Sequence, residues 1–276
     1  MKPGIKILRA TFATAVVLLM VFPMVVVVAS SFNPATYISF PPHELSLHWY
    51  GSLANDPLWA MSAVNSVIAG LVATAITFVI GLPVSIALVR GSFRGQRLIY
   101  GLVMSPIIVP QILTALGLYY VLTPVHLTGS PLIIGLGHVV LCLPVFVLIV
   151  CSSLAGFDVR LEDAAVSLGA SRLRAVQKIT LPALAPGLIA ACLFSFLTSF
   201  DELVIALLLS DPTSRTLPVS IWSSMIFETN PIITAVSVYV FLLTIAAFVL
   251  THLLSRARRQ QREQSPAALP AARTQE

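Results

Sequence analysis

Long apolar stretches, separated by short polar segments, dominate the chain. Six of them reach the ~20 residues that an α-helix needs to cross a bilayer. They cover about residues 11–30, 62–89, 98–122, 131–152, 184–209 and 233–254. The pattern predicts an all-α membrane protein with six transmembrane helices, which together form one domain over residues 1–255.

Two of the predicted spans carry residues that shape a helix or its packing. Ser66, Gly70 and Thr74 place small residues at every fourth position of the second span, which permits close contact with a neighbouring helix. Pro106 and Pro110 predict a distortion of the third span. The first apolar stretch follows basic residues as in a signal peptide, but its length favours a retained span.

Composition supports a membrane protein and excludes a mainly soluble one. Hydrophobic residues make up 57% of the 276 residues and charged residues 10%, whereas soluble domains average about 25% charged. The mean hydropathy is +0.95. The net charge of +5 reflects basic segments between spans, so it is no indication of nucleic-acid binding.

The distribution of basic residues predicts the orientation. With the N-terminus in the cytoplasm, 15 of the 16 Lys and Arg residues lie inside and only Arg215 lies outside, as the positive-inside rule requires. Six spans then return the C-terminus to the cytoplasm. Residues 256–276 are basic and then rich in Ala, Pro and Gln, which predicts a disordered cytoplasmic tail.

Residues 158–182 form a charged cytoplasmic segment that is rich in helix formers. Asp158 is a candidate N-cap, and the first predicted helix has one apolar face made of Leu161, Ala164, Ala165 and Leu168. Gly169 predicts a turn. The second predicted helix places Leu173, Val176 and Ile179 on one side and ends at Pro182. These faces suit either a partner protein or the membrane surface.

The spacing within this segment resembles the EAA loop of permease subunits of bacterial ABC importers. That loop reads E-A-A, three residues, Gly, nine residues and I-x-L-P. Here Asp163-Ala164-Ala165, Gly169 and Ile179-Thr180-Leu181-Pro182 keep the spacing. Asp163 replaces the first Glu, although Glu162 stands beside it. The resemblance implies that the segment binds a cytoplasmic ATPase through Glu162, Asp163, Ala164, Ala165, Gly169, Ile179, Leu181 and Pro182.

Two adjacent carboxylates, Asp201 and Glu202, interrupt the fifth span. A charge at membrane depth costs roughly 2.5–3.5 kcal/mol, and no span offers a Lys or Arg as a partner. The pair therefore predicts a cation pathway, although the acids could also mark the external end of the helix. Since adjacent helical residues point about 100° apart, we expect one of them to face the pathway.

The last third of the chain resembles spermidine/putrescine permease subunits. The matching residues are Ser199-Phe200-Asp201-Glu202, Thr216-Leu217-Pro218, Ser223-Ser224 and Asn230-Pro231, and Asn65-Ser66 fits earlier in the chain. The resemblance implies a type I importer fold and a substrate pathway with Asp201, Glu202 and Asn65. Related permeases carry ferric iron, aminoethylphosphonate or opines, so the solute stays open.

The resemblance also implies the partners: a cytoplasmic ATPase dimer, a second homologous permease and a periplasmic substrate-binding protein, in the bacterial inner membrane. The chain contains no Gly-Lys dipeptide, and so no phosphate-binding loop. We therefore expect a transport subunit rather than an enzyme, without a cofactor, while the ATPase binds ATP and Mg²⁺. An ion-coupled carrier and an intramembrane enzyme that use Asp201 and Glu202 are the rival interpretations.

Cysteine and histidine suggest no further chemistry. Cys142, Cys151 and Cys192 lie in or beside apolar spans, where free buried thiols are expected. The five histidines are scattered along the chain. The sequence therefore predicts neither a disulfide nor a metal site.

Overall fold

The computed structural model describes residues 3–35, 37, 40–227 and 231–263, and these contain helices but no strand. The helices are α1 (Pro3–Ser30), α2 (His48–Asn55), α3 (Pro57–Arg90), α4 (Gln96–Ile108), α5 (Gln111–Leu122), α6 (Pro131–Ala155), α7 (Arg160–Ser167), α8 (Arg172–Ala175), α9 (Leu181–Phe200), α10 (Val204–Leu209), α11 (Leu217–Phe227) and α12 (Ile232–Glu263). A 3₁₀ turn (Thr123–Val125) follows α5, and a π-helical turn (Val176–Thr180) joins α8 to α9. The all-α prediction is confirmed.

Helices α3, α6 and α9 pack against one another and form the centre of the fold. Close approach depends on glycine at several positions, as Gly135 and Gly70 illustrate. A Cβ on Gly135 of α6 would lie 2.6 Å from the carbonyl oxygen of Ala69 on α3, and a Cβ on Gly70 would lie 2.7 Å from the Phe196 ring on α9. The small residues predicted to permit close packing therefore do so at Gly70.

Four helical runs in the described part of the chain are long and apolar enough to cross a membrane. They are Arg9–Ser30, Pro57–Arg90, Pro131–Ala155 and Arg172–Phe200, which correspond to the predicted first, second, fourth and fifth spans. The described apolar part of α12, Ile232–Ala246, is shorter. The count of six spans stays a prediction.

The predicted third span is not one continuous helix. Helices α4 and α5 meet at an angle of 103°, and Val109 between them is extended, with φ −72° and ψ 130°. Proline restricts the preceding residue to extended backbone and has no N–H for a helical hydrogen bond. Pro110 therefore breaks the helix, and α4–α5 forms either a broken span or a re-entrant hairpin.

The predicted boundaries of the last two spans also need correction. Residues 184–209 do not form one helix, because α9 ends at Phe200 and α10 begins at Val204. Helix α12 continues to Glu263, into the tail predicted to be disordered. Arg, Ala, Gln and Glu favour helix, and no Gly or Pro occurs in residues 251–263. Residues 264–276 and Asn230 lie outside the described residues.

Candidate functional site

The charged segment of residues 158–182 folds as a helix, a turn and a second helix, as predicted. Backbone N–H of Arg160 donates to Asp158 Oδ1 at 3.0 Å, so Asp158 supports the start of α7. The helix ends at Ser167, and Gly169 follows with φ +93°. Non-glycine residues rarely adopt this left-handed conformation. Gly169 therefore sets the angle at which the chain enters α8.

An exposed apolar surface covers α7 and α8. Leu161 is 53% exposed, Leu168 89% and Leu173 67%, and Asp163 and Ala164 are also exposed. Large apolar side chains exposed together mark a site that contacts a protein or a membrane. We call Leu161, Asp163, Ala164, Leu168 and Leu173 the coupling surface, after the role that the resemblance to the EAA loop predicts for this segment.

Glu162 differs from its neighbours because it points into the protein. Its carboxylate accepts hydrogen bonds from Arg90 Nη1 and from the Thr180 hydroxyl, and its side chain is 13% exposed. The structure therefore separates the two acids of the segment. Asp163 lies on the coupling surface, and Glu162 connects α7 to the ends of α3 and the π-helical turn.

The I-x-L-P part of the segment does not end the second helix. Ile179 is half-buried in the π-helical turn, and Leu181 and Pro182 open α9. Proline is tolerated in the first turn of a helix, where its missing N–H would have no partner. The prediction that Pro182 terminates the helix is wrong, since the chain continues helically from α8 into the fifth span.

Glu202 caps α10. Its Oε1 accepts from the N–H groups of Val204 and Ile205 at 2.8 and 3.0 Å, and its Oε2 accepts from Ile205 and Ala206 at 3.0 and 3.1 Å. The residue is 4% exposed. A helix N-terminus leaves N–H groups without partners and favours a negative charge. The carboxylate interrupts the span and stabilises the helix that follows.

Two side chains from other helices also contact Glu202. His138 Nε2 on α6 lies 3.0 Å from Oε2, at ion-pair distance but without hydrogen-bond geometry. Gln111 Nε2 on α5 donates to Oε1 at 3.3 Å. His138 Nδ1 in turn lies 2.7 Å from the Ser199 hydroxyl. His138 was not predicted as a partner of Glu202, because Lys and Arg are the usual partners of a carboxylate; its position within an apolar span was the available signal in the sequence.

Asp201 lies beside Glu202 but is exposed. It is the charged residue in the lining of a cavity of about 270 Å³, which is otherwise apolar and includes the 42%-exposed Trp222. The other lining residues are Phe200, Leu203, Leu217, Pro218, Ile221, Met225 and Val240. Of the two acids, Asp201 is therefore the one that lines this cavity; a substrate pathway at this place stays a prediction.

Asn65 takes part in a structural contact. The residue is 6% exposed, and its Nδ2 donates to the carbonyl oxygens of Thr213 and Arg215, both at 3.0 Å. Asp211 stabilises the same loop, because its Oδ1 accepts hydrogen bonds from the Thr213 and Ser214 hydroxyls. These bonds also lower the pKa of the Asp211 carboxyl group. The amide of Asn65 thus connects α3 to the loop before α11.

Replacing Asn65 by leucine is expected to lower the free energy of unfolding by about 1–3 kcal/mol, because the Thr213 and Arg215 carbonyls lose their donor. Thermal unfolding of the purified protein measures this effect. Asn55→Leu is the control, since the exposed Asn55 amide donates a hydrogen bond to the carbonyl oxygen of Gly51 in its own helix. Equal melting temperatures for the two variants would contradict a structural role of Asn65.

The sequence matches the family described as binding-protein-dependent transport system inner membrane component over residues 78–260. That range contains the coupling surface, Glu202 and Asp201. The chain belongs to this family. It is the permease subunit of an ABC importer, a transport subunit rather than an enzyme, and a multi-pass protein of the bacterial inner membrane.

Relatives in sequence agree with this assignment, and a solved structure shares the fold. The chain is 30% identical to the spermidine/putrescine permease protein PotC of Haemophilus influenzae over 249 residues, which are 90% of this chain and 96% of PotC. It is 34% identical to the putrescine permease protein PotI of Escherichia coli, over 87% and 88% of the two chains. The fold matches a bacterial ABC transporter that imports alginate, with a TM-score of 0.69, 15% identity and coverage of 93% and 98%.

Proposed function

We propose that the protein is the membrane-spanning permease subunit of an ATP-driven importer for polyamines such as putrescine and spermidine. Its proposed partners are a cytoplasmic ATPase dimer, a second homologous permease and a periplasmic polyamine-binding protein. ATP and Mg²⁺ bind to the ATPase. Both termini of the permease lie in the cytoplasm.

The position of Asp201 is the observation that carries the proposal for a cationic solute. Asp201 is exposed, and it lines a cavity that Trp222 also lines. Carboxylates attract ammonium groups, and aromatic faces attract them through cation–π interaction. The methylene chain of a polyamine suits the remaining apolar lining. The Glu202 carboxylate already accepts hydrogen bonds from backbone N–H groups and contacts His138. Asp201 is therefore the carboxylate of the pair that can interact with a passing cation.

The coupling surface supports the proposed use of ATP. Its exposed leucines surround a turn set by Gly169, a shape that can enter a groove of a partner protein. In the proposed mechanism, ATP closes the ATPase dimer and draws the bound α7 helices of the two permeases together. The permease pair then changes from an inward-facing to an outward-facing form and accepts the polyamine from the binding protein.

Uptake of labelled putrescine and spermidine tests the proposal directly, in cells with and without this gene. We expect uptake to disappear without the gene, and unlabelled polyamines to compete while ferric iron, aminoethylphosphonate and opines do not. Competition by one of these other solutes would assign the importer to that solute instead. Copurification of an ATPase with the permease tests the partnership independently of the solute.

Asp201→Asn is expected to reduce polyamine uptake about tenfold, since losing ~1.4 kcal/mol of cation stabilisation changes a rate or an affinity by that factor. Initial uptake rates, normalised to permease in the membrane, provide the measurement. Glu44→Gln serves as the control, because Glu44 is an exposed acid in the external loop. Unchanged uptake by Asp201→Asn would contradict a role of this carboxylate in the pathway.

A further inference from the structure

Three elements that are distant in sequence meet at the Glu162 carboxylate. Arg90 is the last residue of α3, Glu162 lies in α7, and Thr180 is the last residue of the π-helical turn before α9. Arg90 Nη1 and the Thr180 hydroxyl both donate to this carboxylate. A single side chain on α7, the helix that carries part of the coupling surface, is therefore bound to the cytoplasmic ends of two central helices.

The surroundings make this contact difficult to replace. Arg90 and Glu162 side chains are 16% and 13% exposed, and the Cζ of Arg90 lies 5.6 Å from the centre of the Phe157 ring. Arg90 Nε and Nη2 are buried without a hydrogen-bond partner among the described residues. Glu162 is thus the anionic partner of a largely buried cation, and its loss would leave that charge uncompensated.

The contact supplies a connection that the covalent chain does not. Helix α7 continues through short segments into α6 on one side and into α8 and α9 on the other. Helix α3 lies 72 residues away in sequence from Glu162. At the cytoplasmic end, the hydrogen bonds of Arg90 to Glu162 therefore connect α3 to α7. The hydrogen bond of Thr180 to the same carboxylate connects the start of α9 to α7.

We propose that Arg90, Glu162 and Thr180 form a mechanical joint that transmits movement of α7 to α3 and α9 together. Arg90 and Thr180 act as positioning residues that touch neither the solute nor the ATPase surface. The proposal rests on the proposed binding of the coupling surface to an ATPase. Breaking the joint is expected to leave that binding intact but to separate ATP hydrolysis from transport.

The experiment compares Arg90→Met, Arg90→Lys and Arg94→Met in the full transporter, reconstituted with its ATPase, second permease and binding protein. Methionine keeps an apolar stem but removes the charge, lysine keeps the charge, and Arg94 is an exposed arginine four residues away. For Arg90→Met we expect putrescine imported per ATP hydrolysed to fall about tenfold. Arg90→Lys should recover part of the coupling, and Arg94→Met should match the wild type.

Two results would overturn the proposal. One is wild-type putrescine transport per ATP in Arg90→Met. The other is a parallel decrease of uptake, hydrolysis and assembled complex, which would make the contact one of stability alone. If the wild-type complex hydrolyses ATP but imports no putrescine, the polyamine proposal fails while the joint stays testable.

A second measurement tests the joint without any solute. Spin labels at the exposed positions Phe93 and Val166, with the three cysteines replaced by serine, report the separation of the α3 end and α7. Val166 lies in α7 but outside the coupling surface. The joint predicts one separation that is unchanged between nucleotide-free and ATP-bound complexes. In Arg90→Met the separation should change with nucleotide. An unchanged separation in that variant would contradict the joint.

Discussion

Glu202→Leu is expected to lower the free energy of unfolding by about 3–5 kcal/mol, because leaving a buried hydrogen-bonding group without its partner costs about 1–3 kcal/mol and several N–H groups lose theirs. The substitution removes the acceptor for the N–H groups of Val204, Ile205 and Ala206. It also leaves His138 without its carboxylate. Thermal or denaturant unfolding in detergent measures the loss, and uptake should disappear together with the folded protein.

The adjacent carboxylates provide matched controls for this prediction. Glu202→Gln keeps one acceptor oxygen, so its loss of stability should lie between those of the wild type and Glu202→Leu. Asp201→Asn should unfold like the wild type while it reduces uptake, because Asp201 is exposed. A stable Glu202→Leu variant would contradict the structural role of Glu202. An Asp201→Asn variant that unfolds readily would show that Asp201 is needed for folding rather than only for uptake.

Gly169→Leu is expected to abolish copurification of the ATPase and polyamine uptake. A Cβ at this position would meet nothing within 4 Å in the protein, so the leucine would project from the coupling surface toward the proposed partner. The left-handed backbone adds a strain of roughly 1–2 kcal/mol. ATPase recovered per permease and initial uptake rates are the measurements.

Gly95→Leu separates the effect on binding from the effect of strain. Gly95 also has φ +93° and nothing within 4 Å of an added Cβ, but it precedes α4 rather than lying between α7 and α8. We expect Gly95→Leu to retain the ATPase. If both variants lose the ATPase equally, backbone strain explains the result. The experiment would then contradict binding of the ATPase at the coupling surface.

Local features of the molecule were predictable from local sequence. Asp158, the helix-forming run after it and Gly169 predicted a helix and a turn, and these formed where expected. Pro182 was misinterpreted because proline both ends helices and opens them, and the spacing of residues does not distinguish the two. The continuation of α12 to Glu263 was not predicted, because the basic, Ala-, Pro- and Gln-rich composition of the whole tail indicated disorder. The absence of Gly and Pro from residues 251–263 was the better indicator there.

The acidic pair shows where local sequence is insufficient. Hydropathy identified Asp201 and Glu202 as unusual, and helical geometry predicted that they would differ in direction. Which one is buried depends on His138 and Gln111, and Gln111 lies 91 residues away in sequence from Glu202. Glu202 also accepts from the N–H groups of Val204, Ile205 and Ala206, which are free to donate only because a new helix begins at Val204. The apolar residues on both sides of the break give no sign of it in the sequence.

The sequence alone determined the properties that depend on nearest neighbours and on the solvent: an apolar helical protein, a helix–turn–helix segment with an exposed apolar face, and two carboxylates at an unusual depth. The tertiary structure decided which polar groups pair, because burial makes each group depend on a partner from a distant helix. Glu162 thereby became a contact to α3, Glu202 a cap, and Asp201 the carboxylate left exposed.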